Sequence, residues 1–177
     1  TFSKTLAPGL RLGWVVAPVE VVDRLVMAKQ GTDLQTSTFD QMLAWEMLKT
    51  GFLDEHINLI RRVYKERRDI MLAAMERYFP EGCFWTKPQG GLFLWANLPE
   101  WLDTEPLLQE AIQAKVAFVP GFAFYAAPDR GRNSMRLNFS NALPEQIEEG
   151  MRRLGLLLQA KVAEHDRIHG VPELTPA

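Results

Sequence analysis

Thr1-Phe2-Ser3-Lys4-Thr5-Leu6-Ala7-Pro8-Gly9-Leu10-Arg11-Leu12-Gly13-Trp14-Val15-Val16-Ala17-Pro18 is the stretch from which the rest of the chain is read. It places hydroxyls, one amine, a Pro-Gly turn and one guanidinium ahead of a strongly apolar run, with no acid among them. Such a cluster suits an anion. Two hydroxyls and an arginine together satisfy a phosphate, because the planar guanidinium forks onto two of its oxygens while the hydroxyls donate to others. Lys4 is then left over, and a free amine attacks carbonyls. Phosphate holder plus amine describes a site for a phosphorylated aldehyde, of which pyridoxal phosphate is the common one. Taken alone, Ser3-Lys4 before a turn also reads as a solvated loop. It is not a P-loop, which needs a glycine-rich approach before its lysine.

The run from Thr1 to Trp14 resembles the lysine segment of the fold-type I pyridoxal-phosphate aminotransferases, class I/II, and within them the branch of the 2-aminoadipate and kynurenine aminotransferases. Three later segments extend the likeness: Lys87-Pro88-Gln89-Gly90-Gly91-Leu92-Phe93-Leu94-Trp95, Phe118-Val119-Pro120-Gly121-Phe122-Ala123-Phe124 and Met135-Arg136-Leu137-Asn138-Phe139-Ser140. The resemblance implies that Lys4 carries the cofactor as a Schiff base. It implies that the hydroxyl three residues before the lysine and the arginine seven after it hold the cofactor phosphate, hence Thr1 and Arg11, with Ser3 as a helper. It gives Arg136 the substrate α-carboxylate. The fold expected is the α/β fold of the pyridoxal-phosphate-dependent transferases, with residues 1–53 closing a large cofactor-binding domain and 54–177 forming a small α+β domain. On this view less than half of a full-length enzyme is present and the remainder lies upstream. Substrates would be an α-amino acid and a 2-oxo acid, and the enzyme a homodimer.

Composition agrees with a globular protein: 177 residues with 47% hydrophobic content are enough for a sizeable core or two small ones. A net charge of −2 recommends neither nucleic acid nor an anionic membrane as a partner. Cys83 is the lone cysteine and has no internal disulfide partner, and no apolar run is long enough to span a bilayer. A cytoplasmic setting is the expectation.

Along the chain, Leu10 to Ala17 is apolar on both faces apart from Arg11, which predicts a strand buried in a sheet. Pro18 suits the first turn of a helix carrying Val22, Leu25 and Val26 inward, closed by Gly31. The polar connector Thr32 to Thr38 precedes a helix with Phe39, Met42, Leu43, Glu46 and Met47 at helical spacing. That connector resembles a loop lying near the active site in the same enzymes, and reads equally as a plain helix cap. The longest helix is predicted from about Asp54 to Tyr78, with Arg61, Arg62, Lys65, Arg67 and Arg68 on its solvated face. Four short strands follow around Phe84-Trp85, Gly91 to Ala96, Val116 to Val119 and Met135 to Phe139. A helix capped by Asp103 or Thr104 lies between the second and third, and a last helix opens at Pro144. Its cap, Leu143, has no oxygen to accept a backbone bond, which costs that end about 1 kcal/mol against a serine. Gly170 to Ala177 reads as a loose tail.

Arg136 stands out in the fourth strand. Period two sets Met135, Leu137 and Phe139 on one face and Arg136, Asn138 and Ser140 on the other, so the guanidinium leaves the core. An arginine on a rigid strand presents the two parallel N–H groups that a carboxylate accepts, or serves as a surface ion-pair partner. Trp85, Phe93, Trp95 and Phe118 are read as core. His165 and His169, four apart, share a helix face, but no acid or cysteine is placed to complete a metal site. A rival from another class is the effector domain of a MocR-type regulator that senses pyridoxal phosphate, whose lysine segment looks much the same.

Overall fold

Runs with apolar residues at every second position build a four-stranded antiparallel sheet in the computed structural model, which describes residues 1–127 and 129–170. Beyond Gly170 the tail lies outside the described residues. The helices are α1 (Val19–Thr32), α2 (Thr38–Leu48), α3 (Phe52–Tyr78), α4 (Thr104–Gln113) and α5 (Pro144–His169). The strands are β1 (Phe84–Trp85), β2 (Phe93–Asn97), β3 (Val119–Pro120) and β4 (Ser134–Asn138), in the order β1-β2-β4-β3. The chain divides into two compact units, Thr1–Val63 and Tyr64–Ala177, so the division falls within α3.

In the second unit the alternation dictates the packing. Leu94 and Ala96 of β2 and Met135 and Leu137 of β4 face the core. They meet Met71, Ala74 and Met75 of α3, Leu107 and Ala111 of α4, and Ile147, Met151, Leu154 and Leu158 of α5 in a single cluster. Each large side chain buried there contributes about 1.5–3 kcal/mol of transfer free energy. Asp103 caps α4 by accepting from the Glu105 N–H at 2.9 Å, while Thr104 is fully buried and donates to the Arg132 carbonyl at 2.8 Å. At α5 the Gln146 side chain accepts from the Leu143 N–H at 2.9 Å, which is half of a capping box. Gly155 lets α5 approach α3: a Cβ there would stand 2.5 Å from the Tyr78 carbonyl oxygen.

Two readings of this unit change. Arg67 and Arg68 are not on a solvated face; they are half-buried and donate to the Ser140 and Pro88 carbonyls, tying α3 to segments that follow β4 and precede β2. A guanidinium has more donors than a helix surface uses, and loop carbonyls without ladder partners accept them. Phe93 and Trp95 are not core residues either, since they stand on the face of β2 opposite Leu94 and Ala96. Phe118 is buried as expected.

The first unit departs further. Leu10 to Ala17 is no strand: Pro8–Leu10 is a single 3₁₀ turn and the residues after it have no ladder partner among the described residues. Leu12 is buried, but Trp14, Val15 and Val16 are exposed, Val16 to 91%. A strand needs a neighbour to take its N–H and C=O groups, and apolar side chains need a covering layer; sequence pattern supplies neither. The same holds for α1, where Val22, Leu25 and Val26 are exposed instead of inward. This helix also runs through Gly31 to Thr32, and is closed by Leu34 in the left-handed region at φ 62, with the Lys29 carbonyl accepting from Asp33 and Leu34. Ser37 caps α2, accepting from the Asp40 N–H, and Ala44 is the buried residue of that helix.

Candidate active site

The residues around Lys4 are shaped by one carbonyl. Phe2 C=O accepts from the N–H groups of Thr5, Leu6 and Ala7, and the Phe2 N–H donates to the Leu12 carbonyl at 3.1 Å. The chain therefore turns tightly at Ser3–Leu6, with Lys4 exposed in the turn. The turn brings the two hydroxyls together: Thr1 Oγ1 lies 3.1 Å from Ser3 Oγ and 2.9 Å from the Leu12 carbonyl, and accepts from the Ser3 N–H. Arg11 is left-handed at φ 52, and its guanidinium donates to the Pro8 carbonyl at 3.1 Å. It is exposed, and no carboxylate pairs with it among the described residues. The two hydroxyls adjoin, and Arg11 makes no hydrogen bond to either among the described residues; each is a donor of the kind a phosphate accepts. The amine of Lys4 adds the group an aldehyde needs.

A cavity of about 350 Å³ lies beside this turn within the first unit, lined by Phe2, Leu12, Trp14, Thr36, Gln41 and Trp45 among others. Thr1, Ser3, Lys4 and Arg11 do not line it. Thr36 belongs to the polar connector, and its carbonyl accepts from the Gln41 amide at 2.9 Å. Gln41 and Trp45 of α2 are not singled out by sequence, because helical spacing gives no sign of which side chains will face a cavity and which a core, and Trp14 reads only as part of a buried strand.

Arg136 belongs to the second unit. It sits mid-strand on β4, opposite Trp95 of β2 on one side and Val119 of β3 on the other. Its guanidinium carbon lies over the Phe93 ring at 4.1 Å and over the Phe124 ring at 4.5 Å from their centroids. The Nε atom is buried without a hydrogen-bond acceptor, and no ion pair forms among the described residues. Sequence marked the arginine and its face; it missed the two rings. Arg132, by contrast, is held at the surface by Asp103 at 2.6 Å and Glu105 at 3.2 Å, and Asp103 raises its guanidinium further above the usual range. His165 stacks flat on Trp101 at 3.9 Å and stands 4.5 Å from His169, both outside this site.

Sheet, helices and the lysine turn place the protein in a known class. The chain belongs to the aminotransferase class I and II family, whose model matches residues 1–154. It is 51% identical over 154 residues to aromatic-amino-acid aminotransferase 1 of Thermococcus litoralis, covering 87% of this chain and 37% of that protein. Among solved structures it resembles the α-aminoadipate aminotransferase of Thermus thermophilus complexed with N-(5'-phosphopyridoxyl)-L-leucine, with a TM-score of 0.87 at 45% identity over 92% of this chain and 41% of that one. The fold is thus the α/β fold type I of these transferases. A relative of another kind is the uncharacterized HTH-type transcriptional regulator YisV of Bacillus subtilis, 37% identical over 85% of this chain and 31% of its own length. The chain spans 37% to 41% of the length of the first three curated relatives it matches. No helix among the described residues is long and apolar enough to cross a membrane.

Proposed function

We propose that the protein containing this chain is a pyridoxal-phosphate-dependent aminotransferase that moves an amino group between an α-amino acid and a 2-oxo acid. The observation that carries this reading is the family match over residues 1–154, because that span holds both the Lys4 turn and the Arg136 strand. Bound pyridoxal phosphate supplies an electron sink for the bond broken at the substrate α-carbon. Thr1, with Ser3 beside it, and Arg11 bind the phosphate and keep the ring from drifting. Lys4 holds the aldehyde between turnovers and then takes and returns the α-proton, a role that needs its Nζ within direct reach of that carbon. Arg136 grips the α-carboxylate and so fixes which bond faces the sink. The same reading divides the functional domains at residues 53 and 54, and has the enzyme act as a cytoplasmic homodimer without nucleic-acid or membrane partners.

The test is chemical trapping on the whole protein. With pyridoxal phosphate it should turn yellow, borohydride should fix the cofactor to Lys4, and Lys4→Ala should give no adduct. An adduct on another lysine would overturn the assignment. The likeness to YisV supports a second reading, the effector domain of a MocR-type regulator. That protein would bind the cofactor at the same lysine yet fail to pass an amino group to any 2-oxo acid.

A further inference from the structure

An arginine in a protein interior is ordinarily held by its edge, where in-plane N–H groups meet a carboxylate or carbonyl. Arg136 is held otherwise. Its guanidinium lies over the faces of Phe93 and Phe124, and its Nε–H has no acceptor. Attraction between a cation and the negative face of an aromatic ring needs no hydrogen-bond acceptor, and it holds the guanidinium without a carboxylate or carbonyl. The terminal N–H groups therefore stay available for a ligand, while the side chain is kept from turning to another partner.

The rings are themselves held. Phe93 is on β2, paired with Asn138, two positions along the ladder from the Trp95–Arg136 pair and so on the same face. Phe124 ends the 3₁₀ turn Gly121–Phe124, and Trp95 packs edge-on against it at 5.4 Å. Trp95 is fixed in turn by its Nε1–H, which donates to Asn97 Oδ1 at 3.2 Å. Phe124 remains 44% exposed, so its ring is spent on the arginine's surroundings and not on the core.

We propose that Phe93 and Phe124 are positioning residues whose ring faces hold the Arg136 guanidinium, leaving its terminal N–H groups ready for a carboxylate. This rests on the reading of Arg136 as the carboxylate grip. Loss of one ring should cost carboxylate affinity without removing the charge. The test uses the whole protein and two probes of one shape, 3-phenylpropionate and 3-phenylpropanol, of which the acid alone offers a carboxylate. Wild type should prefer the acid, and Arg136→Gln, which removes the charge, should abolish that preference. Phe124→Leu and Phe93→Leu should each weaken binding of the acid about fivefold and leave the alcohol unchanged, and Phe124→Tyr should restore it to within about twofold. Between two ring faces the Arg136 Nε–H proton should resonate well upfield of other arginines, and Phe124→Leu should move it back. Circular dichroism melting shows whether each variant is folded, and the Nε–H shift in wild type reads the clamp without any variant. If both leucine variants keep full affinity for the acid while Arg136→Gln loses it, or if the Nε–H resonates at the ordinary position, the clamp is rejected and the grip stands. If Arg136→Gln keeps the preference, the grip itself is wrong.

Discussion

The two units of this chain use apolar residues in opposite ways. In Tyr64–Ala177 nineteen buried side chains, from Met71 to Leu158, form one cluster under a sheet. In Thr1–Val63 only Leu12 and Ala44 are buried, while Trp14, Val16, Phe39 and Trp45 are more than half exposed. Both units carry the periodicities from which burial is read. The difference teaches that a pattern states which face of an element tends to leave water; what covers that face is a separate fact, decided by the partners the fold provides.

If the comparison is right, substitutions should divide between the units. Phe139→Ala removes one of the largest fully buried side chains of the second unit and should cost about 3–5 kcal/mol. Val16→Ala in the first unit, at a residue 91% exposed, should change stability by less than about 0.5 kcal/mol. Amide hydrogen exchange of the β2 and β4 strands during denaturant titration reports the first, and that of α1 and α2 the second. Equal costs would break the comparison. A finer division lies inside α5. Gly155→Ala sets a Cβ 2.5 Å from the Tyr78 carbonyl and should cost about 1–3 kcal/mol by forcing α5 away from α3. Gly150→Ala, with nothing within 4 Å, should instead stabilise the helix by about 0.5–1 kcal/mol. Thermal melts of the two variants should therefore shift in opposite directions.

How much was legible follows the same line. In the second unit three of the four strands, the Asp103 cap and the inward row of α5 are in the sequence, because local spacing and the finished core agree there; the strand expected over Val116 to Val119 is instead the short β3, Val119–Pro120, since Val116 to Phe118 are not part of the ladder. In the first unit the α1 and α2 helices are legible and the Leu10–Ala17 strand is not, since a strand exists only through its neighbour's hydrogen bonds. For the proposed site, Thr1, Ser3, Lys4 and Arg11 are picked out by residue type, order and the family resemblance, none of which says where each side chain turns. Alternation sets Arg136 on the face away from the core. Phe124 was missed because it approaches from a 3₁₀ turn twelve residues away in sequence, and no period links a turn to a strand. Arg67 and Arg68 were misplaced because their acceptors are loop carbonyls, which leave no trace in a helical wheel.

The smallest expected effect asks whether the second unit owes its stability to its core or to its charged surface. Glu149 accepts from Arg152 at 2.7 Å and from Arg153 at 2.8 Å, and these bonds, Arg152's first, hold its carboxyl down at about 2, against 4.5 ordinarily. A carboxyl depressed on folding lends stability that is full above its unfolded value and is lost as pH falls through the folded one. The window is therefore pH 4.5 down to about 2. The group is open to solvent on one side, so solvent and salt screen it, and most of the apparent gain should vanish. The measurement is the difference in melting temperature between the wild-type chain and Glu149→Gln, followed from pH 5 to pH 2 at low and at moderate salt. A small gap that closes toward pH 2 and shrinks with salt is expected. A gap as wide as that produced by Phe139→Ala would mean that the ion pairs of α5, and not the cluster beneath the sheet, distinguish this unit from the first.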